Sequence, residues 1–183
     1  MKIPVVTQHR HVHLSEEDAV TLFGGALTPE RSIAHKGQFL STESVSIIGL
    51  KGTFDRVRIL GPERTQTQVE LSASDAFAIG LDVPARMSGD LSRAGSCILR
   101  TPHGEVKAKS STIIAARHLH CSQSDAEKLQ LAHLDVISVA TQSGEQLNNV
   151  IVRIHPTYAT EFHLTKDEAA EYWLQTGDHV TLL

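Results

Sequence analysis

The feature that most constrains the fold is a ten-residue pattern that occurs twice. Residues Arg10 to Ala19 and residues Arg117 to Ala126 both read R-H-x-H-x-S-x-x-D-A. A weaker similarity follows in the same order, between residues 57–59 (Val-Arg-Ile) and residues 152–154 (Val-Arg-Ile). Repetition within one chain indicates a duplicated unit, so it guides the prediction of the architecture.

We predict two duplicated halves. The first spans residues 10–115 and the second spans residues 116–183, together with an N-terminal strand at residues 1–9. The first copy is longer, and its polar segment at residues 24–42, which contains several glycines and a proline, is the predicted insertion.

Four segments share a Ser or Thr that is followed three residues later by an acid and then by Ala. This spacing is typical of a capped helix start, because the hydroxyl accepts a hydrogen bond from an early backbone amide. The predicted helices begin at Ser15, Ser72, Ser122 and Thr165. Glycines that could end three of them are Gly24, Gly80 and Gly177.

The remaining sequence alternates between apolar and polar residues, as strands do. The predicted strands are Ser44 to Leu50, Phe54 to Leu60, Cys97 to Thr101, Glu105 to Lys109, Asp135 to Ala140, Asn149 to Ile154 and His179 to Leu183. Many short strands with a few short helices favour barrels or a sandwich over a parallel α/β sheet.

Each copy of the repeat carries an H-x-H pair, whose two side chains share one face of a strand. Each half has a second predicted helix start, and the residue two positions before it, a Glu or a His, is the predicted third ligand. The predicted metal ligands are His11, His13 and Glu70, and then His118, His120 and His163. Imidazole suits zinc and related transition metals, and three protein ligands leave one position open, as in catalytic zinc sites.

An alternative interpretation keeps the same residues as hydrogen-bonding groups at strand ends, with Glu70 as a solvated carboxylate. Cys121 follows His120 and is expected to face the other side of its strand, buried, and Cys97 is expected in the core. The other histidines are predicted to be surface or local hydrogen-bonding residues: His9, His35, His103, His133, His155 and His179.

Four arginines are considered as partners of an anion, and two of them are the stronger candidates. Arg64 and Arg86 offer planar charged forks that suit phosphate or carboxylate. Arg10 and Arg117 precede the H-x-H pairs, and we predict structural salt bridges for both. Helix N-termini beside the predicted metals also favour an anion. Together these features predict a two-metal site that handles a small anion such as phosphate.

Composition narrows the classes of partner. The chain of 183 residues has 17 Lys+Arg against 21 Asp+Glu, a formal net charge of −4 and 4 % aromatic residues, so neither a nucleic-acid surface nor a base-stacking platform is expected. Apolar runs are too short to span a bilayer. Two cysteines favour a reducing cytoplasm. The sequence leaves the oligomeric state open, a homo-oligomer included.

The motifs together resemble the PduL-type phosphotransacylases, also called phosphate propanoyltransferases. The matching segments lie at Arg10 to Ser15, Gly61 to Arg64, Thr67 to Glu70, Ser74 to Ala76, Pro84 to Gly89, Ile113 to His120 and Glu161 to His163. The resemblance implies a duplicated pair of small β-barrels capped by short helices, with the active site between them.

The resemblance also implies function: two zinc-type ions and the reversible transfer of a propanoyl or acetyl group between CoA and phosphate, with acyl phosphate as the other product. It assigns the same six ligands, and Arg64 as the phosphate-binding residue. Residues of the CoA pocket are not predicted. Only nine residues precede Arg10, so we expect a cytoplasmic enzyme without a microcompartment-targeting extension. The alternatives are a two-metal hydrolase of a phosphoester or thioester and a non-catalytic structural zinc module.

Overall fold

The computed structural model describes residues 1–183, which form short strands and four short helices. The strands are β1 (Lys2–Gln8), β2 (His11–His13), β3 (Pro29–Ser32), β4 (Phe39–Ile48), β5 (Thr53–Gly61), β6 (Gln68–Leu71), β7 (Ala85–Arg86), β8 (Gly95–Arg100), β9 (Glu105–Ala115), β10 (His118–Cys121), β11 (Val136–Ala140), β12 (Gln146–Ile154), β13 (Glu161–Thr165) and β14 (His179–Leu182). The helices are α1 (Glu16–Phe23), α2 (Ala73–Ala78), α3 (Gln123–Leu129) and α4 (Lys166–Glu171).

The four helices begin where the hydroxyl–acid spacing predicted. The capping residues are Ser15, Ser72, Ser122 and Thr165, and each side chain accepts from the backbone N–H three residues later. Gly24 ends α1 in the left-handed conformation, with a φ of 80°. The prediction for Gly177 is wrong: α4 ends at Tyr172, whose N–H already bonds to carbonyls of the last turn.

The chain divides into two compact units. One comprises residues 9–33 and 37–115 and is called the first barrel; the other comprises residues 1–8, 34–36 and 116–183 and is called the second barrel. The predicted mainly-β class with paired barrels and short helices is confirmed.

The first barrel is a ring of six strands in the order β4-β5-β2-β6-β9-β8, which closes because β8 pairs with β4. β3 extends the sheet at β4, and β7 pairs with β9. Fully buried aliphatic side chains fill the interior, among them Val12, Ile47, Ile59 and Leu99. Burial of such side chains contributes about 1.5–3 kcal/mol each, so the ring is held by a continuous apolar core.

The second barrel is a closed ring in the order β1-β13-β10-β12-β11-β14, with β14 returning to β1. Its core includes Ile3, Leu119, Phe162 and Val180. The helices α3 and α4 add one buried alanine each, Ala126 and Ala169.

The two rings have the same strand order and the same strand directions. In each, the H-x-H strand runs parallel to one neighbour and antiparallel to the strand that carries the third predicted ligand. In the second barrel, β1 takes the place that β9 occupies in the first, because both run parallel to the third-ligand strand. A strand from the start of the chain therefore completes a ring that is otherwise built from residues 116–183. No helix is long and apolar enough to cross a membrane.

Candidate metal centres

The first cluster lies in the first barrel, where β2 and β6 run side by side. The antiparallel register places His11 opposite Glu70. Nε2 of His11 lies 3.5 Å and Nε2 of His13 lies 3.7 Å from carboxylate oxygens of Glu70. The three side chains are no more than 12 % exposed, and their candidate ligand atoms lie within 4.8 Å of one another. The structure thus brings together the three predicted ligands of the first half.

Backbone oxygens orient both imidazoles of this cluster. Nδ1 of His11 lies 2.9 Å from the carbonyl of His9, and Nδ1 of His13 lies 3.1 Å from the carbonyl of Leu60. A carbonyl can only accept, so each Nδ1 carries a hydrogen, and in the neutral ring each Nε2 has the lone pair that a metal would need. This outer support is typical of metal-ligating histidines, because it fixes the tautomer and the ring orientation.

Charge in the cluster is strongly coupled. Burial lowers the pKa of His11, but the charge of Glu70 and its hydrogen bond outweigh burial and raise that pKa above its usual value. Burial raises the pKa of Glu70, but His11 and His13 hold it well below its usual range. Burial and the charges of His11 and Arg64 lower the pKa of His13. Glu70 is therefore ionised, and its charge favours a positive partner beside it, either a proton on His11 or a bound cation.

Arg64, the residue predicted from the sequence to bind an anion, lies beside this cluster. Its Nη2 is 3.1 Å from Nε2 of His13, and its Nη1 is 3.4 Å from the hydroxyl of Ser88. Backbone bonds to Leu14 and Glu16 fix Arg64 at the start of α1. A guanidinium held in this way presents a fixed charged fork next to the candidate metal ligands.

Gln68 holds the carboxylate of Glu70 in place by a hydrogen bond. The sequence pattern did not identify Gln68 as a functional residue. Its amide nitrogen donates to Glu70 at 2.5 Å and to the hydroxyl of Ser88 at 2.8 Å, while its carbonyl oxygen accepts from the N–H of Gly89 at 2.8 Å. Alternation along the strand was the available signal, since residues two apart share a face.

The second cluster lies in the second barrel, where β10 and β13 pair in the equivalent register, with His118 opposite His163. The ring centroid of His120 lies 4.5 Å from those of His118 and His163, and the rings of His118 and His163 stack at 5.1 Å. The predicted ligands of the second half are therefore neighbours.

A fourth imidazole, His35, belongs to the same cluster. Ligand atoms of His35, His120 and His163 lie within 4.8 Å of one another. His35 is 5 % exposed and its Nε2 lies 2.8 Å from Nδ1 of His120, so the prediction of a surface or locally bonded histidine is wrong for this residue. No signal in the sequence identified it, because it lies outside the repeat and 85 residues from His120.

The donor set of the second cluster fits a transition metal. Nε2 of His120 and Nδ1 of His163 are buried without a hydrogen-bond partner, which is costly unless another group binds them. Nε2 of His163 lies 3.3 Å from Glu161 and Nδ1 of His118 lies 2.9 Å from the carbonyl of Ala116, so both rings have outer support. Burial first, and then the neighbouring imidazoles, lower the pKa of His120, which keeps it neutral, as a ligand must be.

The other arginines and the two cysteines singled out in the sequence make contacts outside the two histidine clusters. Arg10 pairs with Asp75 at 2.8 Å and Arg117 with Glu168 at 3.2 Å, as expected of structural salt bridges. Arg86, the other candidate for an anion, donates to backbone oxygens of Ser92 and Ala85 and pairs with Asp90 at 3.7 Å. Two cysteines, Cys97 and Cys121, lie in the cores with pKa values raised by burial.

Fold and site define a duplicated β-barrel protein with a buried His/His/Glu cluster in one barrel and a histidine cluster in the other. The phosphate propanoyltransferase family model matches residues 4–175. The chain belongs to this family, and it is an acyltransferase.

Named relatives agree with the family match. A phosphate propanoyltransferase of Thermotoga maritima is 40 % identical, over 99 % of this chain and 89 % of the relative. Phosphate propanoyltransferases of Salmonella typhimurium and Listeria monocytogenes are each 37 % identical over 91 % of this chain, and cover 81 % and 80 % of the relatives. The predicted resemblance is confirmed.

Proposed function

We propose that this chain transfers a short acyl group, propanoyl or acetyl, reversibly between CoA and inorganic phosphate, with acyl phosphate as the second product. The observation that carries the proposal is the fixed fork of Arg64, 3.1 Å from the ligand nitrogen of His13, in a member of the phosphate propanoyltransferase family. A charged donor beside a candidate metal position suits a phosphate dianion.

In the proposed reaction, Arg64 binds phosphate and fixes its orientation. A phosphate oxygen attacks the thioester carbonyl carbon, the new C–O bond forms, and the C–S bond breaks. The electron pair leaves on the CoA sulfur, which takes up the proton that the attacking phosphate loses. Direct attack needs no acyl-enzyme, and burial raises the pKa of both cysteine thiols, which makes them poor nucleophiles.

We propose that each barrel holds one divalent ion, with zinc as the proposed metal. His11, His13 and Glu70 would hold one, and His118, His120 and His163 the other. Such ions supply positive charge that stabilises a developing oxyanion or thiolate. Two observations support this assignment: burial keeps the His120 imidazole neutral, and the buried carboxylate of Glu70 stays ionised because its pKa is held well below the usual range. The proposed location is the cytoplasm, supported by the two free cysteines.

The decisive experiment measures thiol release from propanoyl-CoA and acetyl-CoA, with and without phosphate, on zinc-loaded and on chelated protein. We expect release that requires both phosphate and metal, with acyl phosphate formed in equal amount. Release that ignores phosphate would identify a hydrolase. A folded, zinc-loaded chain that releases no thiol from either substrate would contradict acyl transfer and favour a structural zinc module.

A further inference from the structure

Four imidazoles share the second cluster, and two of them, His35 and His120, are joined by a hydrogen bond. Their Nε2 and Nδ1 atoms lie 2.8 Å apart. Two imidazole nitrogens that ligate one tetrahedral zinc at 2.0–2.1 Å lie about 3.3 Å apart. The observed separation is that of an N–H···N hydrogen bond, so the pair cannot offer both of these nitrogens to an ion while the bond persists.

One shared hydrogen decides which ring is the ligand. A neutral imidazole has one N–H and one lone pair. If His120 donates from Nδ1, its Nε2 keeps a lone pair for the metal. If His35 donates from Nε2, its own Nδ1 keeps the lone pair instead. Nε2 of His120 and Nδ1 of His35 are both buried without a hydrogen-bond partner, so burial alone does not distinguish the two placements.

The duplicated structure distinguishes them. His11, His13 and His118 all direct Nδ1 at a backbone carbonyl, which can only accept. His120 has the place in the second barrel that His13 has in the first. The acceptor of His13 is the carbonyl of Leu60, on the strand parallel to β2.

In the second barrel, Nδ1 of His120 meets a side chain rather than a carbonyl of the equivalent strand. Lys36 fixes this segment, since its backbone N–H donates to the carbonyl of Thr157 at 3.1 Å. The ring of His35 also packs 4.9 Å from that of Tyr158. The backbone and the ring of His35 are therefore both held in place, with Nε2 of His35 at Nδ1 of His120.

We propose that His35 is a positioning residue of the second metal centre: its Nε2 accepts the Nδ1–H of His120 and thereby directs Nε2 of His120 to the metal. His35 takes the role that the carbonyl of Leu60 has for His13. The inference rests on the proposed function only in that it treats the second cluster as a metal centre. Outer partners of this kind are worth 10- to 100-fold in metal affinity.

The direct test is the tautomer of each ring in the zinc-loaded full chain, read by long-range proton–nitrogen NMR on ¹⁵N-histidine protein. We expect hydrogen on Nδ1 of His120 and zinc on its Nε2, with no zinc on His35. Zinc on a nitrogen of His35 would overturn the proposal, because His35 would then be a ligand.

Variants give an independent readout through zinc affinity, measured by competition with a chromophoric chelator. We expect H35A to lower the affinity for one of the two zinc ions by about 10- to 100-fold. In H35Q the amide oxygen can still accept from His120, and we expect affinity within about threefold of the original chain. His103→Gln changes an exposed histidine and serves as the matched control.

Two results would overturn the proposal. One is unchanged zinc affinity in a folded H35A, and the other is an H35Q as weak as H35A, because the acceptor alone would then not suffice. Neither readout involves acyl transfer. A chain that binds two zinc ions with the expected tautomers and releases no thiol from acyl-CoA would contradict the proposed function and leave the role of His35 intact.

Discussion

Single residues decide the chemistry proposed for the first barrel, and Arg64 is the most informative of them. We expect Arg64→Ala to lower kcat/KM by roughly 30- to 1,000-fold, about 2–4 kcal/mol, because an oriented charged donor is lost from the reacting phosphate. Arg64→Lys keeps the charge but not the fork, so we expect intermediate activity. Arg100→Ala, at an exposed ion pair, is the control in the same steady-state assay. Near-normal activity of Arg64→Ala would remove this residue from the site.

Gln68 is expected to act on the metal through Glu70. Its amide holds the carboxylate at 2.5 Å and is itself anchored by Gly89. We expect Gln68→Ala to lower the zinc affinity of the first cluster by about 10- to 100-fold, as measured by chelator competition. The exposed neighbour Gln66→Ala should bind zinc like the original chain. Equal affinities for the two variants would show that Glu70 does not need this support.

At the residue scale, the repeat was the informative part of the sequence. The duplicated H-x-H pairs, with the residue two positions before a helix cap, pointed to side chains that lie close together in each barrel, although the ligand atoms within 4.8 Å of one another in the second barrel belong to His35, His120 and His163. Gln68 lay within reach of the alternation argument. His35 did not, because its place at His120 depends on tertiary packing of a segment without a counterpart in the other copy.

At the scale of elements, each of the four helix starts is fixed by a capping hydroxyl. Ser122 accepts from the N–H of Asp125, and its own N–H donates to Thr160, which also bonds Asp125 at 2.8 Å. We expect Ser122→Ala to lower the free energy of unfolding by about 1 kcal/mol, and Ser122→Asp, which can still cap, to lose much less. Urea unfolding followed by circular dichroism measures both. Equal losses in the two variants would mean that the hydroxyl does not act as a cap.

Glu43 on β4 accepts a hydrogen bond from the backbone N–H of Thr28, the residue before β3. This carboxylate makes a pH-dependent contribution to the stability of the fold. Burial raises its pKa, but bonds from the hydroxyl of Ser41 and the amide of Thr28 outweigh this and lower the pKa to about 2. A depressed carboxyl pKa stabilises the fold above the usual value of 4.5, and this contribution is lost as the pH falls towards about 2.

We therefore expect the difference in Tm between the original chain and Glu43→Gln to be largest at pH 6 and to shrink between about pH 4.5 and 2. Thermal scans of chelated protein separate this effect from acid release of metal. A difference that stays constant over that range would contradict the assignment.

Element boundaries show what the sequence pattern could and could not supply. Alternation located seven strands because each has one face in an apolar core. β3 escaped prediction because all four of its residues are exposed, so it has no buried face to produce a period. The prediction that Gly177 ends α4 was wrong because a glycine indicates a turn but not which element precedes the turn.

At the scale of the whole molecule, ring closure depends on contacts between distant parts of the sequence. Ile3 on β1 is fully buried in the second barrel, and Ile59 on β5 is fully buried in the first. We expect Ile3→Ala to cost about 2–5 kcal/mol and to raise amide hydrogen exchange mainly in β10 to β14. Ile59→Ala is the matched control and should affect mainly β4 to β9. Exchange that rises equally everywhere in both variants would contradict two separate cores.

The residue pattern alone left a barrel and a sandwich open, since both consist of short alternating strands. Closure depends on which strands pair, and β8 with β4 or β14 with β1 are pairings that alternation does not encode. The resemblance to a known family supplied the barrels, and the structure supplied the pairing.

The strand exchange at β1 also has a consequence for synthesis. Residues 2–8 leave the ribosome long before their partners in β13 and β14 are made. The first barrel has all of its strands as soon as residue 115 is available, while β1 waits with unpaired backbone groups. Translation therefore imposes an order of folding, in which the second ring closes after the first by pairing with a strand that was synthesised before the whole first barrel.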